Sequence, residues 1–243
     1  MTLQENARLS ILIIIPAFNE EEAIGETILK VRRMKSIFPK LDICVVNDGS
    51  KDATAEIVKQ YDDVVLLDLP NNLGIGGAVQ TGYKYADQHG YDVAVQFDAD
   101  GQHNAEDLET IIRPVTQGEC DLCIGSRFIE ETGYVGSPFR RAGIFYFERL
   151  IHLISGQKIT DPTSGFRAAN REVIRLFAEF YPSDYPEPEV IIYLRRKKKK
   201  IQERAVKMHS RQGGTSSITP FKSVYYMAKV TLSIVMQRMI GGN

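Results

Sequence analysis

The stretch Tyr91–Gln102, YDVAVQFDADGQ, decides how the rest of the chain is read. Asp92 to Phe97 reads as a strand whose apolar residues run out just where Asp98 and Asp100 appear one residue apart. Strand geometry places residues two apart on one face. Both carboxylates can therefore aim at one hard cation beyond the strand end, with Ala99 on the other face and Gln102 adding a neutral oxygen. Oxygen donors of this kind suit Mg²⁺ or Mn²⁺, ions commonly held by one or two carboxylates together with substrate phosphates. An isolated Asp-x-Asp is equally a solvated loop, so its surroundings decide.

Working outward, Ile11 to Ile15 is an aliphatic run ended by Pro16, the pattern of a central strand buried on both faces. Asn19, followed by Glu20, Glu21 and Glu22, reads as a helix cap with acids in the first turn. Strands follow at Leu41 to Val46, Val64 to Leu67 and Cys120 to Gly125, with helices over Lys51 to Tyr61, after Gly74, Gly76 and Gly77, and from Asn104 through Val115. Alternating strands and helices predict an α/β fold, a Rossmann-like, mostly parallel sheet flanked by helices. In such sheets ligands sit beyond the carboxyl ends of the strands. The polar clusters Pro16–Glu20, Asn47–Ser50, Asp98–Gln102 and Ser126–Arg127 all fall at those ends.

The second half is less regular. An apolar helix runs from Phe139 to Ile154 behind Arg140 and Arg141, and DPTSGFRAANRE from Asp161 reads as a loop. A helix opens at Glu187-Pro188-Glu189 and closes in the charge run RRKKKK from Arg195 to Lys200, read as a solvated surface. Ile201 to Met208 is a strand, and the segment from His209 is a flexible loop. Phe221 to Ile240 is an amphipathic helix with Val224, Ala228, Leu232, Val235 and Met239 on one stripe, suited to core packing, an oligomer contact or a membrane surface.

Bulk properties narrow the classes. At 243 residues and net charge −1, the chain has room for a sizeable core and no global field for nucleic acid. Its three cysteines and the absence of a leader at the start point to a reducing, cytoplasmic setting. Cys120 and Cys123 form a lone CxxC and read as strand-core thiols rather than a zinc site. No run of uncharged apolar residues is long enough to span a bilayer.

The segments IIPAFNEEEAIG from Ile14, VVNDGSKDAT from Val45, NNLGIGGAVQTGY from Asn71, QFDADGQH from Gln96 and IGSRFI from Ile124 resemble, in order, the motifs of family-two glycosyltransferases with a GT-A fold. With DPTSGFR at Asp161 they are similar in particular to the branch that loads a sugar onto a polyprenyl phosphate, such as dolichyl-phosphate mannose synthases and undecaprenyl-phosphate glycosyltransferases. The resemblance implies a catalytic domain over residues 1–217 and a C-terminal amphipathic helix over 218–243. It implies that Pro16, Ala17, Phe18 and Glu20 hold the base and ribose, and that Asp48 contacts the base, with Asp98 and Ala99 completing the nucleotide site. Asp98, Asp100 and Gln102 then hold Mg²⁺ or Mn²⁺ on the diphosphate of a nucleotide-sugar, with the resemblance favouring a UDP-sugar. Arg127 and Arg140 or Arg141 match acceptor-phosphate positions, and Arg211 closes over the phosphates.

A polyprenyl phosphate is already an oxyanion, so the implied reaction is one in-line displacement with inversion and no dedicated base. A sugar-hydroxyl acceptor is the alternative; it needs a carboxylate to take the proton, and Asp161, Glu187 and Glu189 are the candidates. The resemblance further implies a peripheral location at the inner face of the cell membrane. Ile144 to Ile154 and Phe221 to Ile240 would contact lipid or a small membrane-protein partner, and the stripe could instead close a homo-oligomer. A sugar-phosphate nucleotidyltransferase is disfavoured because the loop after the first strand is acidic, and a regulatory module because both carboxylates are present.

Overall fold

A computed structural model describes residues 8–129, 138–183, 186–208, 227–234 and 236. Seven strands form one sheet in the order β3-β2-β1-β4-β6-β5-β7. They are β1 Ile11–Ala17, β2 Leu41–Asn47, β3 Val64–Asp68, β4 Val93–Gln96, β5 Leu122–Ser126, β6 Arg167–Asn170 and β7 Ile201–Ala205. The helices are α1 Ile24–Arg33, α2 Thr54–Val58, α3 Gly74–Gln88, α4 Leu108–Thr116, α5 Pro138–Ser155, α6 Arg171–Glu179 and α7 Pro186–Arg196.

The aliphatic run of β1 is wholly buried because the sheet is covered on both faces. Ile11, Ile13 and Ile15 pack with Ile24, Ile28 and Val31 of α1 and with Leu108, Ile111 and Ile112 of α4. Leu12 and Ile14 face Ala78, Val79 and Tyr83 of α3 and a second core reaching Phe147, Phe177 and Val190. At Gly82 a Cβ would lie 2.3 Å from Cγ2 of Ile14, so α3 rests directly on the central strand.

Three expectations need correction. The segment read as a loop from Asp161 contains β6, which pairs antiparallel with both β4 and β5. The remaining pairings are parallel, so β6 is the one reversed strand among those described. RAAN lacks the β-branched and aromatic residues that advertise a strand; two paired edges hold it instead. The α6 helix after it was also missed, although Asn170 caps it by accepting from the Val173 N–H at 3.0 Å. Finally, Asn19 does not cap a helix. It sits at φ +54°, and α1 begins five residues later at Ile24 with no side-chain cap.

The C-terminal stripe is also turned. In the helical segment 227–234, Val230 and Ile234 are fully buried in the second core, whereas Leu232 is 61% exposed. This segment packs against the α/β body and presents Ala228 and Leu232 outward.

Candidate active site

Parallel strands bring the carboxyl ends of β1, β2, β4 and β5 to one edge, and the reversed β6 starts at that edge. Five loops therefore meet there. The loops after β1 and β2 are stitched together by the residues expected to start a helix. The Asn19 carboxamide oxygen accepts from the Lys51 N–H at 2.8 Å, and its own N–H donates to Ser50 Oγ at 2.9 Å. The Glu20 N–H donates to Thr54 Oγ1, and Glu21 accepts from the Ala53 N–H. The Glu21 carboxylate thus acts on a neighbouring loop instead of on a helix dipole.

Pro16 and Ala17 end β1, paired with Val46 and Asn47, and the Asp48 N–H donates to the Ala17 carbonyl at 2.8 Å. Asp48 is 4% exposed, and its Oδ1 accepts from the Leu73 N–H at 2.7 Å, drawing in the loop that opens α3. Gly49, at φ +70°, lets the chain pass; a Cβ there would lie 2.8 Å from the Asn72 nitrogen. Phe18 remains 46% exposed beside these loops, a ring available for stacking. The expected base and ribose residues thus share one edge with Asp48.

Asp98, Ala99, Asp100 and Gln102 lie beyond β4. The Ala99 carbonyl accepts from the buried Thr27 hydroxyl at 3.0 Å, which fastens the turn to α1. The Gln102 N–H donates to Asp100 Oδ1 at 3.0 Å, and Gly101 takes φ +74°. Asp98 Oδ2 lies 2.9 Å from Nε2 of His103, whose side chain is fully buried while that of Asp98 is 34% exposed. Burial by itself would raise the Asp98 carboxyl; His103, by charge and by hydrogen bond, with Gln96 and Arg127 behind it, brings it below its ordinary value. Asp98 is thus held as a carboxylate. Two carboxylates and an amide oxygen would offer a hard donor set, and no group of three His, Cys, Asp or Glu converges among the described residues. Such a partial set fits Mg²⁺ or Mn²⁺ completed by phosphate and water better than it fits a closed protein cage.

Arg127 occupies the end of β5 as expected, but its guanidinium is not open to solvent. Nε and Nη2 each donate to Asp161 at 2.6 Å, Nη2 also reaches Thr163 Oγ1 at 3.0 Å, and Arg127 is 3% exposed. Behind Asp161, Glu203 accepts from the Thr160 and Asp161 N–H groups at 2.8 and 2.9 Å. Arg127 clamps the 160–166 loop. Arg141 is exposed on α5, Arg140 lies in the same helix, and Arg211 lies outside the described residues.

The three carboxylates considered as bases separate clearly. Asp161 is bound to Arg127, and Glu189 accepts from the Ser233 hydroxyl. Glu187, in the first turn of α7, is partly exposed; burial, the largest influence on it, pushes its carboxyl up, Arg167 opposes this, and Asp98 adds to it. Arg167 itself was missed. It is 1% exposed and donates to the main-chain carbonyls of Ser164, Pro162 and Glu187 at 2.7 to 2.9 Å, tying the loop before β6 to α7. His103 and Thr27 were missed as well; only His103 left a signal, five residues after Asp98 in QFDADGQH.

This edge, where the Asp48 loops meet the Asp98–Asp100 turn beyond the parallel strands, is the ligand-binding edge of an α/β enzyme. The sequence profile described as "Glycosyl transferase family 2" matches residues 12–177, and the chain belongs to that family. It is 28% identical to the UDP-N-acetylglucosamine–dolichyl-phosphate N-acetylglucosaminyltransferase of Methanococcus voltae, over 93% of this chain and 98% of that protein. It is 33% identical to the undecaprenyl-phosphate mannosyltransferase of Micrococcus luteus, over 69% of each. Its fold superimposes with a TM-score of 0.72 on glucosyl-3-phosphoglycerate synthase from Mycobacterium tuberculosis, solved with Mn²⁺, uridine diphosphate and phosphoglyceric acid, at 16% identity over 99% of this chain and 83% of that one. The fold is the expected GT-A type.

Proposed function

We propose that this chain is a metal-dependent, inverting glycosyltransferase that moves a hexosyl or N-acetylhexosaminyl group from a UDP-sugar to a polyprenyl phosphate. The observation that carries it is the meeting of the Asp48 loops with the Asp98–Asp100 turn at one sheet edge, in a chain whose relatives are named for transfer to dolichyl and undecaprenyl phosphates. The sugar stays open, because those two relatives are named for different sugars.

In this reading Ala17, Phe18 and Asp48 seat the nucleoside, and Asp98, Asp100 and Gln102 would hold Mg²⁺ or Mn²⁺. The cation supplies charge neutralisation to a leaving nucleoside diphosphate. The acceptor phosphate carries its own negative charge, so the protein aligns it and screens it without removing a proton. Arg127 contributes by fixing the Asp161 loop, while Arg141, exposed on α5, would meet the acceptor phosphate. Among the described residues no helix is long and apolar enough to cross a membrane. The lipid is then met at the surface, where Phe145 and Leu153 of α5 stand 55% and 76% exposed.

The test is release of nucleoside diphosphate from UDP-sugars with Mn²⁺ or Mg²⁺, with and without undecaprenyl phosphate in detergent. Lipid-dependent release that Asp100→Asn lowers by about a hundredfold or more is expected. Release that ignores the lipid and needs a glycan would instead support a hydroxyl acceptor. Glu187 is then the base to examine, since Asp161 and Glu189 are already engaged.

A further inference from the structure

Asp98 is gripped from two sides by residues that are not themselves cation donors in the set above. On one side stands His103, with Nε2 2.9 Å from Asp98 Oδ2. Its ring is locked: it stacks on Phe166 with centroids 4.8 Å apart and meets Phe97 edge-on at 5.3 Å. Its main chain bridges Met208, at the foot of the segment carrying Arg211. Among the described residues Nδ1 is buried without a hydrogen-bond partner, so the one polar contact of the ring there is the one to Asp98. A buried imidazole left half-satisfied costs stability, and the packing of the Phe97 and Phe166 rings holds it there.

On the other side is Gly165. A Cβ at that position would lie 2.9 Å from both Asp98 Oδ1 and Gln96 Nε2 and 3.0 Å from Asp98 Oδ2, closer than such atoms normally approach. Nothing about φ at Gly165 demands glycine, as its backbone is not among the positive-φ positions. The space is taken by the Asp98 carboxylate and, beside it, the Gln96 amide.

We propose that His103 and Gly165 are positioning residues that fix the rotamer of Asp98, His103 by an Nε2–H bond to Oδ2 and Gly165 by leaving room for the carboxylate, so that the remaining lone pairs face the cation. A carboxylate donated to by a packed imidazole is pre-oriented, and such supporting contacts typically govern metal affinity by about 10- to 100-fold. The inference rests on the metal reading above, and it predicts an effect on metal binding before any transfer occurs.

The experiment measures Mn²⁺ affinity of the full chain by electron paramagnetic resonance in the presence of UDP, and UDP affinity without metal by calorimetry. The variants are His103→Phe, which keeps a stacking ring and deletes the donor, His103→Gln, which keeps an N–H donor, and Gly165→Ala. Wild type must bind Mn²⁺ and Asp100→Asn must not; if wild type fails, the metal reading itself falls. Given that control, His103→Phe and Gly165→Ala should weaken Mn²⁺ by about tenfold or more, leave metal-free UDP binding within twofold, and keep a cooperative thermal transition, while His103→Gln recovers most of the affinity. Unchanged Mn²⁺ affinity in His103→Phe or in Gly165→Ala overturns the inference. So does equal loss in His103→Phe and His103→Gln, which would make the histidine a packing residue only. Should His103→Phe fail to fold, Gly165→Ala and His103→Gln decide the matter.

Discussion

Arg127 and Asp161 come from points 34 residues apart and bury a complete ion pair between them. Both charges are satisfied, with the Asp161 carboxylate accepting from the Arg127 main chain as well as from its guanidinium. Removing one partner strands the other without water, which costs about 3–5 kcal/mol, whereas replacing both by apolar groups is often close to neutral. Arg127→Met should therefore lower the urea-derived unfolding free energy by about 3–5 kcal/mol, and Arg127→Met combined with Asp161→Leu should recover a large part of it. Arg127→Lys cannot reproduce the two-pronged geometry and should resemble the methionine variant. A loss below about 1 kcal/mol in the single variant, the range of an exposed pair, would show that the pair is open to solvent. Cys44 gives a second test at this scale. Burial pushes its thiol up to about 12, so at pH 8 it is protonated and enclosed. It should resist iodoacetamide in the native chain and react only after unfolding, as read by mass spectrometry. The sequence placed Cys44 inside the strand expected over Leu41 to Val46, between the aliphatic Ile43 and Val45. It could not reveal the partner of Arg127, since nothing local to IGSRFI points to an aspartate that far away. An arginine at a strand end looks the same whether it faces phosphate or a buried carboxylate.

Among the elements, α3 shows how a glycine-rich start serves the site. The Gly76 N–H donates to the Ser183 carbonyl at 3.1 Å, and a Cβ on Gly76 would fall 2.0 and 2.4 Å from the carbonyl oxygens of Pro182 and Ser183. Those atoms are main chain, so they cannot swing aside. Gly143, inside α5, would place its Cβ in open space. The two glycines therefore respond oppositely to alanine. Gly143→Ala should gain about 0.5–1 kcal/mol from helix propensity, while Gly76→Ala should lose about 1–3 kcal/mol through overpacking. Gly76→Ala should also weaken UDP binding, because Leu73, three residues before it, is the donor to Asp48. Equal melting temperatures for the two variants would contradict this. The parallel strands β1 to β5 were legible because each is a mainly apolar run closed by polar residues, whereas β7, IQERA, is polar along its length. β6 was not, because its stability lies in pairing on both sides of Arg167, Ala168 and Ala169, a property of the sheet and not of those residues. The helix after it carried a readable signal in the Asn170 cap and the spacing of Val173, Ile174 and Phe177.

At the scale of the whole molecule, sheet polarity assigns opposite duties to the two rims. The RRKKKK run ends at Lys200, whose main-chain N–H donates to Asp121 Oδ2 at 2.7 Å just before β5 begins, whereas Arg127 and the site lie past the other end of that strand. Strands rise about 3.3 Å per residue, so the basic run and the site are separated by on the order of 15 Å of sheet. Parts of the run are already spoken for: Lys199 pairs with Glu172, and the Arg195 guanidinium donates to the Lys199 carbonyl. The apolar side chains left in water, by contrast, include Phe145 and Leu153 on α5, with the Arg149 guanidinium 4.8 Å over the Phe145 ring. A lipid acceptor presented to the site should therefore meet the α5 surface and leave the basic rim in solvent. Flotation with anionic vesicles separates the two. Lys198→Glu with Lys200→Glu should leave vesicle binding and turnover within twofold of wild type. Phe145→Ser with Leu153→Ser should lower the bound fraction by tenfold or more, since each side chain withdrawn from lipid forfeits about 1.5 kcal/mol. If the lysine pair proves to be the sensitive one, the opposite rim faces the membrane, and a polyprenyl phosphate could not reach Asp98 from the surface on which the protein sits.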